Sequence, residues 1–211
     1  MIHDVDVSLD AFLRRCLPDG TVVRFVRPRA DWPDGTQETL LLNGFLYDIR
    51  EDVSSLAGYS DDIRAIDGTV TARRLPIRRY RLRYLFTAWT ADTAAVTEHE
   101  LLGAVLRGCV EHQTLPADCL TGSLAGTDQL VTLRCAPADE QPVGIEPWAL
   151  TRVPPRTTLD IVVIAPLVPP AHTDLAEPAG EVNLRPAPRR RREPPVSAPG
   201  RRPRGRVTEP S

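Results

Sequence analysis

An α+β domain, with a largely antiparallel or mixed sheet packed by two main helices, is the fold this sequence predicts. Three patterns carry that expectation. Tyr80, Leu82, Tyr84 and Phe86 alternate with Arg79, Arg81 and Arg83, the period of two of a strand with one oily and one cationic face. Leu101, Leu102, Val105, Leu106, Cys109 and Val110 recur at helical spacing, as do Ile2, Val5, Leu9, Phe12, Leu13 and Cys16. Ile161-Val162-Val163-Ile164 is a continuous apolar run, as in a central strand covered on both faces.

The elements follow in chain order. The first helix has Asp4, Asp6 and Asp10 near the positive end of its dipole and stops at Leu17-Pro18-Asp19-Gly20, a turn signature. Residues 21–27 read as a strand broken at Pro28. A polar stretch around Asp31-Trp32-Pro33-Asp34-Gly35 leads to a strand over residues 39–49, in which Leu41, Phe45, Tyr47 and Ile49 are expected to share a face. Residues 51–76, rich in Asp, Ser and Gly, read as a long loop with a short strand near residues 68–73. The strand of residues 77–90 comes next, its oily face expected beneath a helix over residues 95–113 that carries Leu102 and Leu106. Thr97 with Glu100 resembles a capping box for that helix. Strands are expected at residues 129–135 and 158–166, with one helical turn at residues 146–150.

From Pro169 the composition changes to Pro, Ala, Arg and Glu without aromatics. Such a segment cannot bury enough apolar surface to offset its ordering entropy. The division expected is therefore a domain over residues 1–168 and a Pro/Arg-rich disordered tail over residues 169–211. The formal net charge of −2 conceals an asymmetry, since from Leu167 onward nine Arg face five acidic residues while the body is acidic. Every one of the 26 basic residues is Arg, which GC-rich codon usage accounts for, with Arg-specific bidentate recognition as the alternative.

Cys16, Cys109, Cys119 and Cys135 have no CxxC spacing and no His at ligand spacing, so no metal is expected. Four reduced structural thiols and cytoplasmic maturation are the expectation. Acidic residues near the start stand where a signal peptide would be basic, and no apolar run approaches a membrane span. No phosphate-binding glycine pattern, nucleophile elbow or Ser/His/Asp arrangement occurs. His99, between Glu98 and Glu100, reads as structural or solvated, because sequence neighbours on a helix do not share a face. No catalytic residue and no cofactor are expected. The arginine clusters of the tail could neutralise phosphate, which keeps a nucleic-acid-binding module as the alternative, but they lack interleaved aromatics. The row Arg79, Arg81 and Arg83 is either a solvated face or a contact for an acidic partner surface.

Several ordered blocks carry a family resemblance: Leu46-Tyr47-Asp48-Ile49-Arg50-Glu51-Asp52, Arg79-Tyr80-Arg81-Leu82-Arg83-Tyr84 with Thr87-Ala88-Trp89-Thr90, Glu98-His99-Glu100-Leu101-Leu102-Gly103, and Leu159-Asp160-Ile161-Val162-Val163. Over residues 1–167 the chain resembles the cap, or tail-terminator, proteins of bacterial contractile injection systems, phage-tail-like particles without a head. The resemblance implies a small α/β domain related to phage tail terminators and a structural, non-enzymatic role. It implies a homo-oligomeric ring, expected to be hexameric, that ends tube and sheath polymerisation and couples the last sheath ring to the inner tube. Sheath and tube proteins are then the expected partners, with no membrane or nucleic acid, and assembly takes place in the cytoplasm. Arg79, Arg81 and Arg83 are the candidate subunit or sheath contacts.

Overall fold

The computed structural model describes residues 1–28, 40–53, 61–90, 95–137 and 156–175. Along the chain run α1 (Ile2–Cys16), β1 (Val22–Arg24), β2 (Leu40–Glu51), β3 (Asp61–Arg64), β4 (Val70–Arg74), β5 (Arg78–Thr90), α2 (Ala95–Glu111), β6 (Thr132–Cys135), β7 (Thr158–Leu167) and β8 (Ala171–His172). Five strands form the main sheet in the order β1-β2-β5-β7-β6, and β3-β4-β8 form a smaller one. Only β1 and β2 run parallel; every other described pair is antiparallel. The mixed α+β architecture expected from the periodicities is the one observed.

Both helices pack on one face of the main sheet. Val5, Leu9, Phe12 and Leu13 of α1 and Leu101, Leu102 and Val105 of α2 join Leu42, Leu82, Tyr84, Phe86, Ile161 and Val163 of the sheet in one buried cluster. The apolar face of β5 is thus covered as its alternation implies. The buried stripe of α2 is rotated from the expected one, however. Ala104 and Gly108 are buried, whereas Leu106 is 40% exposed and Val110 72%. The rotation fits a close helix crossing at Gly108, where a Cβ would sit 2.4 Å from Cys16 Sγ. The helix begins at Ala95, so Thr97 lies inside its first turn and is not the capping residue expected.

α1 ends where Leu17 turns extended (φ −93°, ψ 154°), the conformation imposed on a residue that precedes proline. A short 3-10 turn at Gly122–Leu124 docks against its start. Asp4 accepts hydrogen bonds from Ser123 Oγ (2.5 Å) and from the Ser123 backbone N–H (3.0 Å). The same two bonds, side chain before backbone, hold its carboxyl down at about 2. Because the folded value lies below the ordinary 3.8, this contribution is complete above about pH 4 and lost as pH falls through about 2. The stability gap between wild type and Asp4→Asn is therefore expected to narrow over that window in urea melts. A gap independent of pH would contradict this role.

Three expectations need correction. The short strand expected near residues 68–73 is observed as β4, but the loop expected before it is interrupted by β3, which pairs with β4 as an antiparallel hairpin that turns at Gly68 (φ 86°). Its apolar face is small, Ile63 opposite Ala72 with Val70 beside it, and on the other face Arg73 Nε lies 2.8 Å from Asp62 Oδ1. Next, a bulge between Leu46 and Asp48 shifts the register of β2 against β5. One extra residue reverses the facing of all that follow. Ile49 therefore lies opposite Leu82 on the helix side, and does not share a face with Leu41, Phe45 and Tyr47. Finally, Ala171 and His172 are ordered as β8, opposite Arg74 and Arg73, so the disorder expected from about residue 170 does not hold for this pair. The expected turn at residues 146–150, the stretch at residues 31–35 and the arginine clusters beyond residue 175 lie outside the described residues.

All four cysteines are free thiols. Hydrogen bonding to Cys135, together with burial, raises the Cys109 thiol far above the ordinary range and keeps it protonated.

Candidate functional site: the arginine face of the central strand

The alternation of β5 puts Arg79, Arg81 and Arg83 together on the sheet face away from the helices. Across β7 they lie opposite Pro166, Ile164 and Val162. Ile164 and Val162 are buried. The three guanidinium groups are not equivalent, because their neighbours differ.

Arg83 is bound into the fold. Its Nη2 donates to Asp160 Oδ2, and the pair keeps only 14% and 17% side-chain exposure. The guanidinium also stacks over the Tyr47 ring, 5.2 Å from the centroid. The Tyr47 hydroxyl donates to the same carboxylate, 3.0 Å from Oδ1 and 3.1 Å from Oδ2. Burial, followed by the field of Asp160, pushes the Tyr47 hydroxyl up, so it stays a donor at any physiological pH. Alternation along β2 already puts Tyr47 on this face with Leu41 and Phe45, and the bulge that follows Leu46 brings Asp48 opposite Arg83.

Arg79 Nη2 donates to the Leu130 carbonyl at 3.0 Å and lies 3.4 Å from Thr132 Oγ1, which ties β5 to the start of edge strand β6 across β7. The Nη2 of Arg81 stands 3.7 Å from Oδ1 of Asp52, itself buried, and 31% of the Arg81 side chain remains exposed. Partly exposed pairs at that separation contribute about 0–1 kcal/mol.

At the far end the same face turns apolar. Leu41, Leu85 and Trp89 form a small buried cluster with Val22 and Tyr47 against it. The Arg156 guanidinium lies 4.1 Å from the Trp89 ring centroid and donates to Glu98, while Trp89 Nε1 donates to Thr87 Oγ1 at 2.9 Å. His99 is exposed, and its Nε2 lies 3.1 Å from Thr157 Oγ1.

Sequence reading thus placed the arginine row correctly but missed Asp160 and Tyr47, which decide what Arg83 does. A signal existed in Asp160, a lone carboxylate inside an apolar run on a central strand. Such a group must find a cation or several donors. Among the described residues no group of three or more His, Cys, Asp or Glu is arranged to hold a metal ion.

Residues 4–179 match the family described as the Pvc16 N-terminal domain. No match was found among curated protein sequences. Two solved structures share the fold. One is the sheath/tube terminator, in the extended state, of PVC, an extracellular contractile injection system. It has a TM-score of 0.63 and 22% identity, over 89% of this chain and 63% of that one. The other is the tube-terminating cap of the anti-feeding prophage, with a TM-score of 0.62 and 21% identity, over 88% of this chain and 61% of that one. The chain therefore spans about three fifths of the length of both. The matched residues take in both helices, all but the start of α1, and every strand of both sheets, and on that coverage the chain belongs to the Pvc16 N-terminal domain family.

Proposed function

We propose that this chain is a structural, non-catalytic terminator of a contractile injection particle. It closes into a ring, six-fold in our reading, that ends the polymerisation of tube and sheath and ties the last sheath ring to the tube. The observation that carries the proposal is the fold shared, over nearly nine tenths of this chain, with a sheath/tube terminator and with a tube-terminating cap. Assembly in the producing cell's cytoplasm completes the reading. No helix among the described residues is long and apolar enough to cross a membrane.

A ring needs two different surfaces on each subunit that meet after a fixed rotation. In our reading the arginine face supplies one of them, with Arg81 as the contact that reaches a neighbour. Arg79 and Arg83 hold their own sheet in shape. Arg81→Gln, which removes the charge without placing a second carboxylate beside Asp52, is expected to lower the urea midpoint less than Arg83→Glu. The same change should shift the protein from ring to monomer in sedimentation. Arg83→Glu should instead unfold the protein by placing two carboxylates together. Sedimentation and negative-stain images of the purified protein test the ring itself. Closed six-fold rings that bind sheath or tube are the expected result, and a stable monomer indifferent to both would overturn it.

A further inference from the structure

α2 carries two glycines, and the packing of this chain accounts for one of them. Gly108 admits Cys16 at the helix crossing, where a Cβ would meet its Sγ at 2.4 Å. Gly103 is exposed in the middle of the helix, and a Cβ there would meet nothing within 4 Å. Glycine is among the least favourable residues in a helix interior, so Gly103 weakens α2 without easing any contact within the chain. Around it the outer side of α2 is apolar where a surface helix is ordinarily polar. Val96 and Val110 are 71% and 72% exposed, and Leu106 widens the stripe. Val96 stands seven residues before Gly103 and Val110 seven after it, close to two turns each way, so the three lie along one side of the helix. Glu100 and Arg107 flank Gly103 on that side, both exposed, and neither makes an ion pair among the described residues.

The stripe complements its own image. When a second α2 is laid antiparallel across the first, with the two Gly103 residues at the crossing, Val96 of each copy lies opposite Val110 of the other. Glu100 of each copy then stands at the level of the other's Arg107, about 1.5 Å apart along the axis, because the two residues lie three before and four after Gly103. Opposite charges thus meet twice, once on each side of the crossing. The missing Cβ lets the two backbones approach closely at the centre, where the separation of packed helices is set by the side chains in contact. A surface that matches itself in this way is the condition for a two-fold contact. An unrelated partner would leave the symmetry about Gly103 without a cause.

We propose that the outer face of α2 docks antiparallel on the same face of a second copy of this chain, with the two-fold axis at Gly103. The inference does not rest on the terminator reading, since a ring joins two different surfaces and this contact uses one surface twice. One helix face buries less than the roughly 1,000 Å² of a stable interface, so the contact is weak alone and forms at high local concentration. The test is oxidative cross-linking of the purified full chain with copper phenanthroline, read on non-reducing gels. A residue on a two-fold axis meets its own copy, so Gly103→Cys should give a disulfide-linked dimer. Glu111→Cys, also exposed but far from the axis, should cross-link no faster than wild type, whose own free thiols set the background. Adding Glu100→Arg to Gly103→Cys should slow the reaction about tenfold, because arginines then face each other twice, and adding Arg107→Glu as well should restore it. No dimer from Gly103→Cys above the background, equal cross-linking of Glu111→Cys, or failure of the charge exchange to restore the rate would each overturn the proposal. Sedimentation needs no introduced cysteine: Val110→Glu should lower the self-association of the full chain at high concentration, and unchanged association would equally overturn it.

Discussion

Asp160→Ala should lower the free energy of unfolding by about 3 kcal/mol in urea titrations. That lies at the low end of the roughly 3–5 kcal/mol lost when one partner of a buried pair is removed, because Arg83 and Asp160 keep 14% and 17% exposure. Three interactions fail together in the variant. The Arg83 guanidinium loses its counter-charge, the Tyr47 hydroxyl loses its acceptor, and the stacked pair above them loses the carboxylate that orients both. Asp160→Asn keeps an acceptor for Tyr47 but not the charge, so an intermediate loss is expected. Replacing both partners, Asp160→Leu with Arg83→Met, should cost less than the two single changes added together, since no buried charge is then left over. A loss below about 0.5 kcal/mol for Asp160→Ala, the size of an ordinary surface change, would mean that Arg83 is a free contact residue after all.

Gly44→Val is the second large effect, expected at about 1–3 kcal/mol for overpacking a filled core. Gly44 lies opposite Phe86 on the helix side of the sheet. A Cβ there would stand 2.7 and 2.8 Å from two carbons of the Phe86 ring and 3.1 Å from the Phe25 ring. Phe25 in turn meets both Phe86 and Tyr84 edge-on, at centroid distances of 6.2 and 6.0 Å. The fully buried Phe86 ring has little room to withdraw. Valine is a better strand former than glycine, so the sign of the change decides between local preference and packing. Adding Phe86→Leu should recover part of the loss, because the shorter side chain vacates the space. Unchanged or raised stability of Gly44→Val would show that the aromatic cluster is looser than these distances indicate.

These two sites also mark what the sequence could and could not convey. α1 and β5 were legible because burial on one side writes a strong period into the chain, 3.6 for the helix and 2 for the strand. The facing of Tyr80, Leu82, Tyr84 and Phe86 followed directly from that period. Of the β3–β4 hairpin only β4 was legible, through the alternation of Val70 and Ala72 with Thr71 and Arg73. β3 was not, because Asp61-Asp62-Ile63-Arg64 has a single apolar residue and so no period to register. The bulge at Tyr47 was invisible for another reason, since a single inserted residue leaves no compositional mark yet reverses every side chain after it. Alternation also showed that Arg79, Arg81 and Arg83 share a face without showing what else reaches that face. Asp160 lies 77 positions beyond Arg83, on the strand that pairs with β5; a pairing so distant is set by topology and cannot be read locally. Among the three arginines, Arg81 is the contact we propose.

Deleting the gene from a producing cell and measuring the particles by electron microscopy tests the terminator reading most directly. Particles of irregular length, with sheath and tube parted at one end or not stably assembled at all, are the expected result. Uniform particles that still contract and drive the tube would contradict it.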